Sequence, residues 1–391
     1  MTNTTTIREN RTNLARLTDI PVIDGHVHFN HLARMDDIMA IMEAGPVLRT
    51  NLVCTPNPGS INHNPALIAF KARFPDRAYI SGALDYGPVL ADPEHMSDIL
   101  AAQVYALKAI GFDGLKMTEG KPTKRKWLPF PLDAPGYTGL WAALEELGMP
   151  VVLHAGDPEA YWDAERCPSR ARARGWYYGD GTFPLKEELH AEVEHVLARH
   201  PRLKVTLAHF GFLSADLERA SRLLDAHPNL CFDLAPGSEM YNNFTRDYDH
   251  SRDFFLHHQD RLIHATDTTT GGIGRDGDRG VERALDRVWV VRTFLETDGV
   301  FAPPEGLRRW LEPDLRGWRG IALSREVLTR IYRTNLERIY GPAPAPLDRE
   351  AALVLVRQMA VALDAQAGGM MADNHARQAL TCISGVFLGE G

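Results

Sequence analysis

Short apolar runs alternate with longer stretches of helical periodicity along most of the chain. Runs at residues 22–29 (VIDGHVHF), 50–55 (TNLVCT), 78–85 (AYISGALD) and 112–117 (FDGLKM) are followed by runs at 150–155 (PVVLHA), 205–210 (VTLAHF), 230–234 (LCFDL) and 262–267 (LIHATD). Each is brief and mostly apolar, as a parallel strand covered on both faces should be. Between them, residues 97–110 read as a helix that Gly111 stops. Residues 186–199 place Leu189, Val193, Val196 and Leu197 on one helical face, leaving His190, His195 and His200 largely off it. Eight strands alternating with helices predict a parallel sheet, and eight is the number that closes a (β/α)8 TIM barrel.

Punctuation divides the chain further. Residues 1–20 form a polar N-terminal segment, 21–341 the barrel and 342–391 a C-terminal helical extension. Residues 324–340 (SREVLTRIYRTNLERIY) read as the barrel-closing helix, begun by Ser324 and stopped by Gly341-Pro342. In the extension, residues 349–363 are helical, with Leu353, Val356, Ala360 and Leu363 on one side. That helix is a candidate cover for the barrel side or for a homo-oligomer contact. The connection at 157–184 carries Trp162, Trp176, Tyr177 and Tyr178, a length and composition that favour a lid.

Composition narrows the class of partner. Forty-three Lys and Arg stand against 51 Asp and Glu, a net charge of −8 over 391 residues. That sign opposes a nucleic-acid backbone as ligand. No run of 18 apolar residues spans a membrane, and the first twenty residues lack a signal peptide's apolar centre. Cys54, Cys167, Cys231 and Cys382 are scattered, as reduced thiols are. The expectation is a cytoplasmic protein acting on a small-molecule substrate.

Several strand ends carry residues capable of chemistry: His26, His28, Lys116, His154, His209 and Asp267. In a parallel barrel the C-terminal strand ends form the active face. The strongest local signal is Asp24-Gly-His26-Val-His28. With 16 histidines in the chain, an H-x-H pair is expected by chance roughly once; an aspartate two places earlier makes it far rarer. Residues i and i+2 of a strand point the same way, so His26 and His28 can share one ion. Two alternating core histidines are the bland alternative, and convergence with the later strand ends argues against it.

The stretches IDGHVHF, VVLHAGDPEAYW, FPLKEELHAEVEHVLARHPRLKVTLAHFGF, RDFFLHHQDRLIHATD and YRTNLERIYG resemble the amidohydrolase superfamily, in particular the branch related to aminocarboxymuconate-semialdehyde and resorcylate decarboxylases. The resemblance covers residues 21–341. It implies His26, His28, His154 and Asp267 as metal ligands, one divalent ion (Zn²⁺ in the first instance), and catalytic proton transfer by Asp267 and His209. It leaves Lys116 open between a carboxylated bridge to a second ion, a substrate contact and a structural salt bridge.

Other candidates are weaker. Lys121, Lys124, Arg125 and Lys126 on the active face suit a substrate carboxylate, or are charged tips of a solvated loop. Glu119 and Glu239 lie just past strand ends, and Trp162 and Tyr241 could line a pocket or simply pack. Residues 271–274 (GGIG) read as a flexible loop. The leading function is metal-dependent hydrolysis of a C–N, lactone or ester bond. The alternative is a metal-dependent, non-oxidative decarboxylase of an aromatic or unsaturated acid. A third, a barrel kept only for binding, is disfavoured by the intact set of polar positions.

Overall fold

The computed structural model describes residues 14, 17–56, 62–269 and 280–388, so most of the polar N-terminal segment and the 271–274 loop lie outside the described residues. Every expected strand is present. They are β1 (Val22–His28), β2 (Val47–Val53), β3 (Ala78–Gly82), β4 (Gly114–Gly120), β5 (Val151–Ala155), β6 (Val205–Leu207), β7 (Leu230–Asp233), β8 (Leu262–Ile263) and β9 (Thr268–Thr269). Neighbours pair in parallel in the order β8-β7-β6-β5-β4-β3-β2-β1-β9.

β8 and β9 are two halves of one barrel position. β8 pairs with β7, β9 pairs with β1, and the ring closes through the interruption. Across it the Gly25 N–H donates to the His264 carbonyl (2.9 Å) and the Asp267 N–H to that of His26 (2.8 Å). Gly25 has to be glycine here: a Cβ would lie 2.7 Å from Ile263 Cγ2 and 3.1 Å from the His264 oxygen.

The helices explain the closure. Met96–Ile110 ends at Gly111 with φ +105°, the left-handed stop the sequence predicts. The closing helix starts with the Ser324 hydroxyl accepting the Val327 N–H and is interrupted by a π turn over Arg330–Thr334. Within that turn the Ile331 carbonyl accepts the His264 N–H (2.9 Å), tying the helix to the break in the eighth position. One departure concerns Lys186–Arg199: its bounds match, but His190 is buried, its Nε2 3.1 Å from the Gly211 carbonyl, because this face packs on the turn after β6.

Two features lie beyond the barrel. An antiparallel hairpin, β10 (Asp298–Phe301) with β11 (Trp318–Ile321), has no counterpart in the sequence reading. The helices Arg349–Gln366 and His375–Leu388 contribute Val356, Met359, Leu363, Ala379 and Ile383 to the main core, so the extension covers the barrel side. All four cysteines are free thiols, and among the described residues no helix is long and apolar enough to cross a membrane.

Candidate metal centre

The centre begins with the pleat of β1, which turns His26 and His28 to one side; their Nε2 atoms lie 3.2 Å apart. Asp267 arrives from the interrupted eighth position, with its Oδ1 3.1 Å from His28 Nε2 and 3.6 Å from His26 Nε2. Its backbone is left-handed (φ +50°), which an extended strand would not allow. Lys116 reaches from β4 to place Nζ 3.0 Å from His26 Nε2. His154 from β5 and His209 after β6 complete the ring of groups: their rings lie 5.1 Å apart, and His209 is 5.7 Å from His26. The six strand-end residues singled out in the sequence therefore meet at one mouth.

His209 sits in an unusual turn. His209, Phe210, Gly211 and Phe212 all have φ between +56° and +59°. Each non-glycine residue there costs roughly 1–2 kcal/mol. Phe210 offsets this by packing on Phe232, Phe244, Phe254 and Phe255, and Asp233 accepts the His209 N–H (2.7 Å).

Proton positions follow from the partners. Asp233, buried at the end of β7, has Oδ2 2.9 Å from His26 Nδ1. The imidazole therefore carries its proton on Nδ1 and turns a lone pair from Nε2 towards His28 and Asp267. His209 Nδ1 lies 3.2 Å from the Ala235 carbonyl, which fixes the same tautomer. Burial, then the Lys116 charge, holds His26 well below the usual imidazole range. Burial likewise pushes His154 and His209 down to about 4. Burial raises Asp267, but the His28 hydrogen bond and the Arg287 charge outweigh it and hold the carboxyl well below its usual range. Burial lowers Lys116 to about 8.

His26, His28 and Asp267 each offer one ligand atom, and these atoms lie within 4.8 Å of one another, a grouping of imidazoles and carboxylate that suits a cation. His154 Nε2 is buried without a hydrogen-bond partner, 3.5 Å from Asp157 Oδ1. His26, His28 and Asp267 fit a divalent ion; His154 Nε2, a ligand candidate from the sequence, lies outside this group of three.

The weaker candidates are engaged with partners of their own. Lys121 is gripped by both oxygens of Asp157 (2.7 and 2.8 Å) and lies over the Trp176 ring. It latches the 157–184 connection, whose Tyr161, Cys167, Ala171 and Tyr178 form their own apolar cluster. Trp162 packs on Tyr178 and donates to the Pro184 carbonyl. Tyr241 is buried against Phe294 and Trp318, with its hydroxyl on the Leu234 carbonyl. Glu119 is buried and accepts the Tyr86 hydroxyl (2.6 Å) and the Thr118 N–H. Glu239 differs: burial pushes it up to about 7, and its Oε1 has no partner.

Three residues of the centre were not assigned from sequence. Asp233 positions His26 and His209. Asp24 accepts the Thr266 hydroxyl (2.6 Å) and the N–H groups of Thr266 and His26, pinning β1 to the seam. Arg287 holds Asp267 Oδ2 (3.1 Å). Asp233 did carry a signal, a charge closing an otherwise apolar strand.

A family model described as amidohydrolase matches residues 23–341. Among solved structures the chain is similar to the uncharacterised TIM-barrel protein Bb4693 from Bordetella bronchiseptica, at 13% identity over 82% of this chain and 98% of that one, TM-score 0.51. It is also similar to 2,6-dihydroxybenzoate decarboxylase from Rhizobium (16% identity, 82% and 98% covered, TM-score 0.49). A candidate 2-pyrone-4,6-dicarboxylic acid hydrolase from Pseudomonas putida is a further neighbour (12% identity, 83% and 98% covered, TM-score 0.47). At 13% identity the Bordetella likeness supports the barrel fold. No curated protein matches the chain.

Proposed function

Because the chain belongs to the amidohydrolase family, we propose that it is a metal-dependent hydrolase of a small molecule with a C–N, lactone or ester bond. The observation that carries this is the convergence of His26 Nε2, His28 Nε2 and Asp267 Oδ1 under the Asp233 lock. In this reading His26, His28, His154 and Asp267 hold one divalent ion, with zinc the first choice. Carboxylation of Lys116 would admit a second. A bound ion supplies Lewis acidity and lowers the pKa of a water.

The chain's own residues do the rest. His209 is neutral, with its proton on Nδ1, so Nε2 is available to take a proton at the mouth. Asp267 offers Oδ1 to the same space while Arg287 fixes Oδ2. Asp233 keeps His26 in the ligating tautomer.

A second reading, non-oxidative decarboxylation, uses the same donors. It is favoured by the cationic groups beside the centre, Lys116 and Arg287, which suit an acid substrate. Release of CO2 without uptake of water separates it from hydrolysis.

The test is metal content by elemental analysis of protein purified without chelators, alongside turnover of a panel of lactones, amides and aromatic acids. One equivalent of metal, lost together with turnover in His26→Ala, is expected. Undiminished turnover by metal-free protein would overturn the reading.

A further inference from the structure

Arg287, which bonds Asp267 Oδ2, also lines a cavity of about 280 Å³ together with Arg170, Arg174, Arg283 and Arg309. Among its described lining residues Asp286 is the one acidic residue against these five arginines. The whole chain carries a net charge of −8, so the excess of positive charge among these described residues runs against the overall balance.

The arginines come from three distant segments. Arg170 belongs to the short helix Ser169–Ala173 of the 157–184 connection, and Arg174 follows it. Arg283 and Arg287 lie on Gly280–Glu296, and Arg309 on the turn Arg308–Trp310. Aromatic rings hold several of them. Arg287 and Arg309 stand 5.1 and 5.8 Å from the centroid of one indole, Trp310, and Arg174 stands 5.0 Å from that of Trp176.

Bringing like charges together from separate segments is unfavourable unless something negative sits among them. Arg170 and Arg309 register the crowding: burial, then the other arginines, lowers both below the usual guanidinium range. Arg283 and Asp286 are engaged within the fold, and Arg287 is bonded to Asp267, so their charges define the field while Arg170, Arg174 and Arg309 stand at the exposed rim.

We propose that this cavity binds a multiply charged oxyanion, a phosphate ester or a polycarboxylate, carried by the substrate of the adjacent centre. Planar guanidiniums match both groups through paired N–H donors. The adjacency is direct, because Asp267 turns Oδ1 to the histidines and Oδ2 to Arg287. Assignment of the anion to a substrate rests on the metal reading; the existence of the anion site does not.

The test is isothermal titration calorimetry of the full chain with inorganic phosphate, tricarballylate and chloride at constant ionic strength. It is repeated on an Arg170→Gln/Arg174→Gln double variant and on Arg309→Gln, with metal content measured on every protein. Saturable binding of phosphate or tricarballylate but not chloride is expected, weakened roughly tenfold or more in the variants with metal content unchanged. Preference for phosphate identifies a phosphate ester, and preference for tricarballylate a polycarboxylate.

Equal binding by wild type and variants, or no binding beyond chloride, overturns the proposal. His26→Ala separates the two readings. Anion binding retained with metal lost supports the cavity as an independent site, whereas wild-type metal content in His26→Ala defeats the metal reading and leaves this one standing.

Discussion

Replacing Asp233 with asparagine changes one atom of the centre, and its consequence follows from hydrogen-bond polarity. Asp233 Oδ1 accepts the N–H groups of His209 (2.7 Å) and Ala235 (3.1 Å), while Oδ2 lies 2.9 Å from His26 Nδ1. An asparagine can place its NH2 at either oxygen's position. At Oδ1 it would face two buried N–H donors and leave both unpaired, at about 1–3 kcal/mol each. At Oδ2 it keeps both backbone bonds and points a donor at His26 Nδ1. The second orientation wins, and His26 then accepts at Nδ1 and carries its proton on Nε2, aimed at His28 and Asp267. The lone pair that would hold an ion is gone from the mouth. Loss of such an outer partner costs about 10–100-fold in metal affinity. The assay is chelator competition for affinity, with ¹H–¹⁵N NMR of the imidazole to read the tautomer. Wild-type affinity with His26 still protonated on Nδ1 would refute the reasoning.

Three further outcomes are expected. Burial pushes Glu239 from 4.5 up to about 7, so its contribution to stability is complete below about pH 4 and is lost as pH rises to 7; Glu239→Gln removes that decline, so thermal melts of the two proteins should diverge as pH rises from 4.5 to about 7 and differ by a constant amount above it, on the order of 3 kcal/mol. Thr266→Val deletes the hydroxyl donating to buried Asp24 and should cost about 1–3 kcal/mol in urea unfolding, as a buried carboxyl oxygen loses its donor; an unchanged midpoint would remove Asp24 as the seam's anchor. Ile383→Ala empties a fully buried site in the C-terminal extension and should cost about 2–5 kcal/mol if that helix belongs to the core; a separate, low-temperature melting step would show instead that the extension unfolds by itself.

The barrel was legible because a strand covered on both faces has to be apolar nearly throughout, and the eight runs announce themselves. What lay hidden was local geometry set by distant residues. VTLAHF reads as a strand to Phe210, yet β6 ends at Leu207, because the aromatic cluster beneath Phe210 and the Asp233 carboxylate hold a left-handed turn there. LIHATD reads as one strand, and nothing in its composition shows that it breaks to bring Asp267 inward. The five strand-end ligand and proton-transfer candidates were found because each closes an apolar run. Asp233 closes one too, but its partner His26 is 207 positions away, and that pairing has no local signature. The arginines of the cavity beside Arg287 belong to three segments with no shared pattern, and they become a group only in three dimensions.

The interrupted eighth position also dictates an order of assembly. Asp24 and Thr266 are 242 positions apart, and the bonds that close the ring are the ones that bring Asp267 beside His26 and His28. A nascent chain that has released its first seven strands carries the imidazoles but no carboxylate to join them. Contacts of such long sequence separation form late, after their loop-closure entropy has been met. Completion of the barrel and completion of the centre are therefore one event. A truncated or half-folded copy lacks the whole donor set, so reactivity from this site is confined to molecules that have finished folding.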